Sequence, residues 1–200
     1  GDLAALPIET VTGALGQASG SHLHALAHAR DPRAVVPSQA AKSISHEETF
    51  PRDRFRRDEL DVEAVRLSDA VATRLRRSGV VGRTVTVKVR FGDFTTITRS
   101  ATVDGGLDSG HQLARIAREL LAGVDPSPGV RLLGVGVSQL DDRGNRQLSL
   151  DDLLATETAE GGADWTTAEE AMDAVRARFG DGALGPASLA GPGGIRVARK

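Results

Sequence analysis

Between Thr84 and Val103 the chain reads TVTVKVRFGDFTTITRSATV, and its residue types alternate with a period of two. Val85, Val87, Val89 and Phe91 fall on one side; Thr84, Thr86, Lys88 and Arg90 fall on the other. Beyond Gly92-Asp93, Ile97, Ala101 and Val103 alternate with Thr96, Thr98, Ser100 and Thr102. The second set in each run consists of hydroxyls and cations, with no large apolar group and no acid. Phosphate oxygens need donors and positive charge more than they need shape, so this set suits a phosphate backbone. The same threonines also have a structural explanation in β-propensity. The two runs taken alone leave both readings open.

Two other groupings have chemical potential. His24 and His28 stand at i,i+4, a metal-ligand spacing on a helix, but no HExxH glutamate and no third ligand accompany them. Structural use of these histidines is the better reading. Gly16–Ser21 (GQASGS) would leave backbone N–H groups free at a helix start, a seat for phosphate, although a tight turn explains its glycines equally well.

The elements that would position these residues follow from periodicity. Strict alternation makes each run a strand with one buried and one open face, and the Gly/Asp connection makes the pair a hairpin. Lys42–Phe50 (KSISHEETF) reads as a short polar strand, followed by a basic loop over Arg52–Arg57. Asp61–Ser78 reads as a helix with Ala64, Leu67, Val71 and Leu75 as its apolar stripe, ended by Gly79. Ser109 caps a second helix, with Leu113, Ile116, Ala117, Leu120 and Leu121 on one face. Arg131–Ser138 (RLLGVGVS) sets Leu133, Val135 and Val137 against Gly134, Gly136 and Ser138. The order is β-α-β-β-α-β, an α+β fold in which two amphipathic helices cover one face of a four-stranded sheet and leave the other open. Glycines on that open face let something approach the backbone closely.

At 200 residues and 20.9 kDa, the chain accommodates one ordinary domain with appendages. Three regions are expected: a helical segment and linker over 1–37, the βαββαβ domain over 38–140, and a tail over 141–200. The absence of cysteine leaves no disulfide framework or thiolate site and fits a cytoplasmic protein. No apolar run approaches membrane-spanning length. The net charge of −2 is unevenly spread. Residues 42–140 carry 16 Lys/Arg against 13 Asp/Glu, whereas residues 141–200 carry 7 against 11. A mildly basic middle hints at an anionic partner. RNA-recognition domains share this element order but stack bases on aromatics of their middle strands. Thr84–Arg90 offers none on its open side.

HLHALAHARDPRAVVPSQAAKSISHEETF, together with TVTVKVRFGDFTTITRS and RLLGVGVSQL, resembles the C-terminal half of bacterial Y-family DNA polymerases of the polymerase IV (DinB) group. The resemblance runs from Gly1 to Phe179 and is densest over residues 20–140. It implies a thumb remnant, then a little finger domain whose open sheet lies along the DNA major groove. It also implies a chain that is part of a longer protein, since GDLAALP resembles the closing helix of a helix-hairpin-helix element. The metal-binding carboxylates and incoming-nucleotide site would then lie upstream of Gly1. Magnesium would belong to that catalytic region, with no cofactor, catalytic residue or metal ligand in this chain.

Under the resemblance, the residues near DNA phosphates are Lys42, Ser43, Ser45, Lys88, Arg90, Thr96, Thr98, Arg99 and Ser100. Arg99 is the exception in parity, sharing its side with Ile97 and Ala101; a bulge or a reach around the strand edge would be needed to bring it there. Gln147, Leu148, Ser149 and Leu150 resemble the sliding-clamp peptide of bacterial replication proteins, two leucines entering an apolar cleft while glutamine sets register. Asp151 stands where that peptide prefers an apolar residue. The expected partners are primer-template DNA, bound without sequence preference, and the sliding clamp; no membrane is involved and a monomer is implied. A free-standing βαββαβ module for nucleic acid or another ligand is the alternative. In the tail, Thr167 and Glu170 form a capping box ahead of an apolar stripe through Phe179, a helix that either docks on the thumb or stays loosely attached, and Gly180–Lys200 reads as disordered.

Overall fold

The computed structural model describes residues 1–37, 40–143, 165–191 and 194–197. They fall into two compact units, Gly1–Ala40 and Ala41–Lys200.

The first unit holds three short helices, α1 (Asp2–Ala5), α2 (Ile8–Leu15) and α3 (Gln17–Ala27). Pro7 lies at the N-cap of α2 and Gly16, with φ +80°, turns α2 into α3. The helices cross closely at Gly20, where an added Cβ would lie 2.6 Å from the Thr12 Cα. Gly16 is the N-cap of α3, so Gly16–Ser21 does start a helix, and Gly20 N closes its first turn by donating to Gly16 O at 2.8 Å.

The second unit is built on β1 (Ser43–Arg54), α4 (Arg57–Arg77), β2 (Val80–Phe91), β3 (Thr96–Leu107), α5 (Gly110–Ala122) and β4 (Val130–Ser138). The strand order is β1-β4-β2-β3, with the two-residue strand β5 (Asp141–Asp142) added to the start of β2. Every pairing is antiparallel. Each βαβ unit is thus split by a strand of the other, and both helices lie on one side of the sheet.

Val85, Val87, Val89, Leu133, Val135 and Val137 point toward the helices and meet Leu60, Leu67, Val71 and Leu75 of α4 with Leu113, Ile116 and Leu121 of α5. Fully burying one such side chain contributes about 1.5–3 kcal/mol. Ser109 caps α5 as its sequence implies, accepting from Gln112 N. β1 runs four residues beyond the expected Phe50, through Pro51. It tolerates a residue without an N–H because it is an edge strand whose register shifts between Thr49 and Arg54. Arg52 and Arg54 consequently lie in the strand and Arg57 opens α4.

The tail returns to this domain. Helix α6 (Trp165–Phe179) is tied to α4 by buried ion pairs and to the start of α5 by hydrogen bonds. Arg76 donates to Asp173 at 2.6 Å and to the Asp108 carbonyl at 2.8 Å, and also pairs with Glu169. Glu169 accepts from Gly110 N at 2.9 Å, His111 N at 3.1 Å and Ser109 Oγ at 3.0 Å, so a carboxylate from α6 occupies the positive end of α5. Arg176 reaches Asp69 at 2.9 Å and the Leu184 carbonyl at 2.8 Å. The ending expected to be disordered is ordered over 180–191 and 194–197. Leu189 is buried, a 3-10 turn (Ala187–Leu189) packs on α4, and Arg196 pairs with Glu63. Charge pairing and one leucine supply the anchorage that glycine-rich composition conceals.

Glu169→Gln keeps the shape but removes the charge from three donors and from Arg76. Urea unfolding should show a loss of about 1–3 kcal/mol; an unchanged midpoint would mean that α6 contributes nothing to the fold.

Candidate nucleic-acid interface

Burial of one strand face dictates the other. Because side chains alternate, fixing Val85, Val87 and Val89 beneath the helices sends Thr84, Thr86, Lys88 and Arg90 outward. The antiparallel register then lines up four rows across the sheet from β1 to β3. They are Ser43–Ser138–Thr84–Thr102, Ser45–Gly136–Thr86–Ser100, Glu47–Gly134–Lys88–Thr98 and Thr49–Leu132–Arg90–Thr96.

Many of these polar groups are paired with one another. Thr84 and Thr102 share a hydroxyl hydrogen bond of 2.8 Å, and Thr86 and Ser100 one of 2.9 Å. Arg90 Nε donates to Thr96 Oγ1 at 3.0 Å. Lys88 Nζ donates to Glu47 Oε2 at 2.9 Å. Gly134 and Gly136 lower the surface between β1 and β2, forming a shallow groove of about 330 Å³ lined by Ser43, Ser45, Glu47, Thr86, Lys88 and Thr98. Hydroxyl hydrogens rotate freely, so these pairs can re-aim toward an incoming acceptor.

Ser43, Ser45, Lys88, Arg90, Thr96, Thr98 and Ser100 therefore share one face, and Lys42 is exposed just before β1. Arg99 does not share it. It pairs with Val87 in an unbroken stretch of register, so no bulge re-aims it, and it lies at the β3 edge with Nη1 donating to the Thr98 carbonyl at 3.0 Å. Gln147, Leu148, Ser149 and Leu150 lie outside the described residues.

Glu47 and Leu132 belong to the face and were missed. Both were legible from alternation: Glu47 has the parity of Ser43 and Ser45, and Leu132 the parity of Gly134 and Gly136. Leu132 is nonetheless buried. Phe94, in the hairpin turn with φ +68°, is exposed beneath the Arg131 guanidinium, 5.0 Å from its ring centroid. His24 and His28 contact each other with ring centroids 4.7 Å apart, and among the described residues no cluster of three potential ligands could hold a metal.

With this geometry in hand, the chain can be set beside known proteins. Residues 41–150 match the model of the impB/mucB/samB family C-terminal domain. The chain belongs to this family. Among similar proteins, DNA polymerase IV of Streptomyces coelicolor is 45% identical over 142 residues, 71% of this chain and 30% of that one. DNA polymerase IV of Caulobacter vibrioides is 36% identical over 184 residues, 92% of this chain and 44% of that one. The chain thus spans less than half the length of these relatives. A solved complex of beta-clamp processivity factor and the little finger domain of PolIV aligns with a TM-score of 0.43 and 26% identity, over 54% of this chain and 97% of that one. Membership of the family rests on the first match.

The family domain holds its β1 edge in place from the helix side. Arg74 donates to the Ser45 carbonyl at 2.9 Å and to His46 Nδ1 at 2.8 Å. Since guanidinium only donates, Nδ1 must accept and the ring must be neutral. Burial, then the charges of Arg74 and Arg66, lower the His46 pKa, with Glu48 opposing them. A histidine whose folded pKa lies below its unfolded value supports the fold fully above that unfolded value, about 6.5, and loses this support as pH falls through the folded one. Thermal midpoints should therefore fall less between about pH 7.5 and about pH 5.5 (one unit either side of that value) for His46→Gln than for the unaltered chain. Equal falls would show that folding leaves the His46 pKa where it is in the unfolded chain.

Proposed function

We propose that the 41–143 sheet grips the phosphate backbones of duplex DNA as the DNA-holding part of a translesion polymerase of the polymerase IV type. The observation that carries this reading is the open face itself, four rows of hydroxyls, cations and glycines interrupted by Glu47 and Leu132, in a family domain whose similar proteins are DNA polymerases IV. Backbone contacts position a duplex and convey little sequence information, which is the tolerance that copying damaged templates demands. Ser43, Ser45, Thr96, Thr98 and Ser100 supply neutral donors. Lys88, Arg90 and Lys42 supply charge, and Arg99 approaches a second phosphate row around the β3 edge. Residues 1–37 would be a thumb remnant and linker, and 141–200 a tail anchored through α6. Nucleotidyl transfer and its magnesium would belong to the whole protein and to residues outside those described, so no chemical step is assigned to this chain. A cytoplasmic monomer fits this role.

Binding should be weak, indifferent to sequence and sensitive to salt. If about four phosphates are contacted, log K should fall against log salt with a slope of about −3 to −4. Fluorescence anisotropy with two unrelated duplexes measures this, and Lys88→Ala with Arg90→Ala should weaken both duplexes alike. Salt-independent binding, or preference for one duplex, would refute the backbone grip.

QLSL at 147–150 favours a second contact, with the bacterial sliding clamp. The preceding residue of known placement, Arg143, is held by Asp108 at 2.8 Å and Glu170 at 2.9 Å, so the motif begins a few residues from a fixed point. Clamp and domain on one duplex would reinforce each other through effective concentration. A peptide of residues 143–154 should bind the clamp in calorimetry, and Gln147→Ala with Leu150→Ala should abolish that binding. A peptide that does not bind would remove the tether.

A further inference from the structure

We infer that Glu47 restrains the DNA grip by holding Lys88 in an ion pair that an incoming phosphate must break. This rests on the DNA-binding reading above and deepens it. Glu47 and Lys88 lie two strands apart, on β1 and β2, and the register places them in one row with Gly134 of β4 between them. Strands two apart are separated by roughly 9.5 Å, twice the interstrand spacing. The side chains close that distance over Gly134, and the pair forms at 2.9 Å.

Gly134 is what permits it. A Cβ there would lie 2.9 Å from the Glu47 Cβ and 3.6 Å from the Lys88 Cβ, in the path of the bridge. The pair lies across the shallow groove and both partners remain reachable by solvent, with half of the Glu47 side chain and a third of the Lys88 side chain exposed. An exchange of partners is therefore cheap, since exposed pairs are individually weak.

The carboxylate acts in two ways. It competes with phosphate for the Lys88 ammonium, and it places a negative charge where backbone oxygens would approach. Arg90 is differently arranged: its neighbour in the row is the neutral Thr96 hydroxyl, which does not compete with phosphate for charge. The two cations of β2 consequently divide the work, Arg90 as an open contact and Lys88 as one released on binding. The consequence is a grip kept weak enough to release duplex as synthesis advances.

The test is duplex binding by the full chain, by anisotropy across a salt titration. Glu47→Gln should tighten binding roughly two- to tenfold on two unrelated sequences. In a Lys88→Ala background the gain should shrink to the part that comes from removing the negative charge alone. Glu119→Gln removes the same charge from an exposed pair on α5 (Arg115–Glu119) and should change nothing. Circular dichroism melting checks that each variant is folded. A gain undiminished in Lys88→Ala, one matched by Glu119→Gln, or one confined to a single sequence overturns the inference. Salt-dependent binding unaffected by Glu47→Gln overturns it too, while leaving the DNA reading intact. Absence of duplex binding in every variant would remove the DNA reading itself.

Discussion

Burial of a single sheet face is the constraint on which everything else rests. α4 and α5 can shield one side only, and the valines of β2 with Leu133, Val135 and Val137 of β4 fill that side. Period-two geometry then leaves no choice about where the remaining side chains go. A one-residue slip in β2 would bury Lys88 and Arg90 and expose three valines, so register and surface chemistry are specified together. The hydroxyl and cation rows are thus a by-product of core packing, and this is why a binding surface can be so regular.

The helix layer is braced from outside by a different kind of force. Arg66, Arg76 and Arg176 are each almost fully buried and each meets two or more acceptors, including carboxylates. Buried charges left unpaired are strongly destabilising, so Arg76 and Arg176 require the tail to be docked, whereas Arg66 finds its carboxylates within the domain, at Glu63 and Glu48. Glu169 adds a specific role, satisfying the first N–H groups of α5. The outer network also reaches the edge strand that contributes to the outward-facing rows. Glu48 and His46 of β1 engage Arg66 and Arg74, while Ser45 and Glu47 between and beside them face the groove. The tail's last described residues join the same network, through the Val197 carbonyl on Arg66 and Arg196 on Glu63.

How much was legible followed from how local the cause was. Strands, the hairpin, both domain helices and the Ser109 cap are encoded by short-range periodicity and capping chemistry, and the βαββαβ order follows from them. The open-face residues of β2 and β3 follow from parity, and parity also flagged Arg99 as anomalous. What it could not supply was the resolution of that anomaly, which depends on β3 being an edge strand. Alternation puts Glu47 on the open face, but its pairing with Lys88 leaves no trace in the sequence, because the partner lies 41 positions away and two strands over and only the register of β4 brings Gly134 between them. The placement of α6 and residues 180–197 depends on long-range ion pairs, which leave no periodic trace.

The central claim is that DNA lies on the open sheet face and nowhere on the helix layer. A titration of the isotopically labelled chain with a short duplex, followed by amide chemical shifts, tests this most directly. Changes should concentrate at Ser45, Glu47, Thr86, Lys88, Thr98, Gly134 and Gly136, with α4, α5 and α6 unmoved. Shifts centred on the helices, with the sheet face silent, would contradict it.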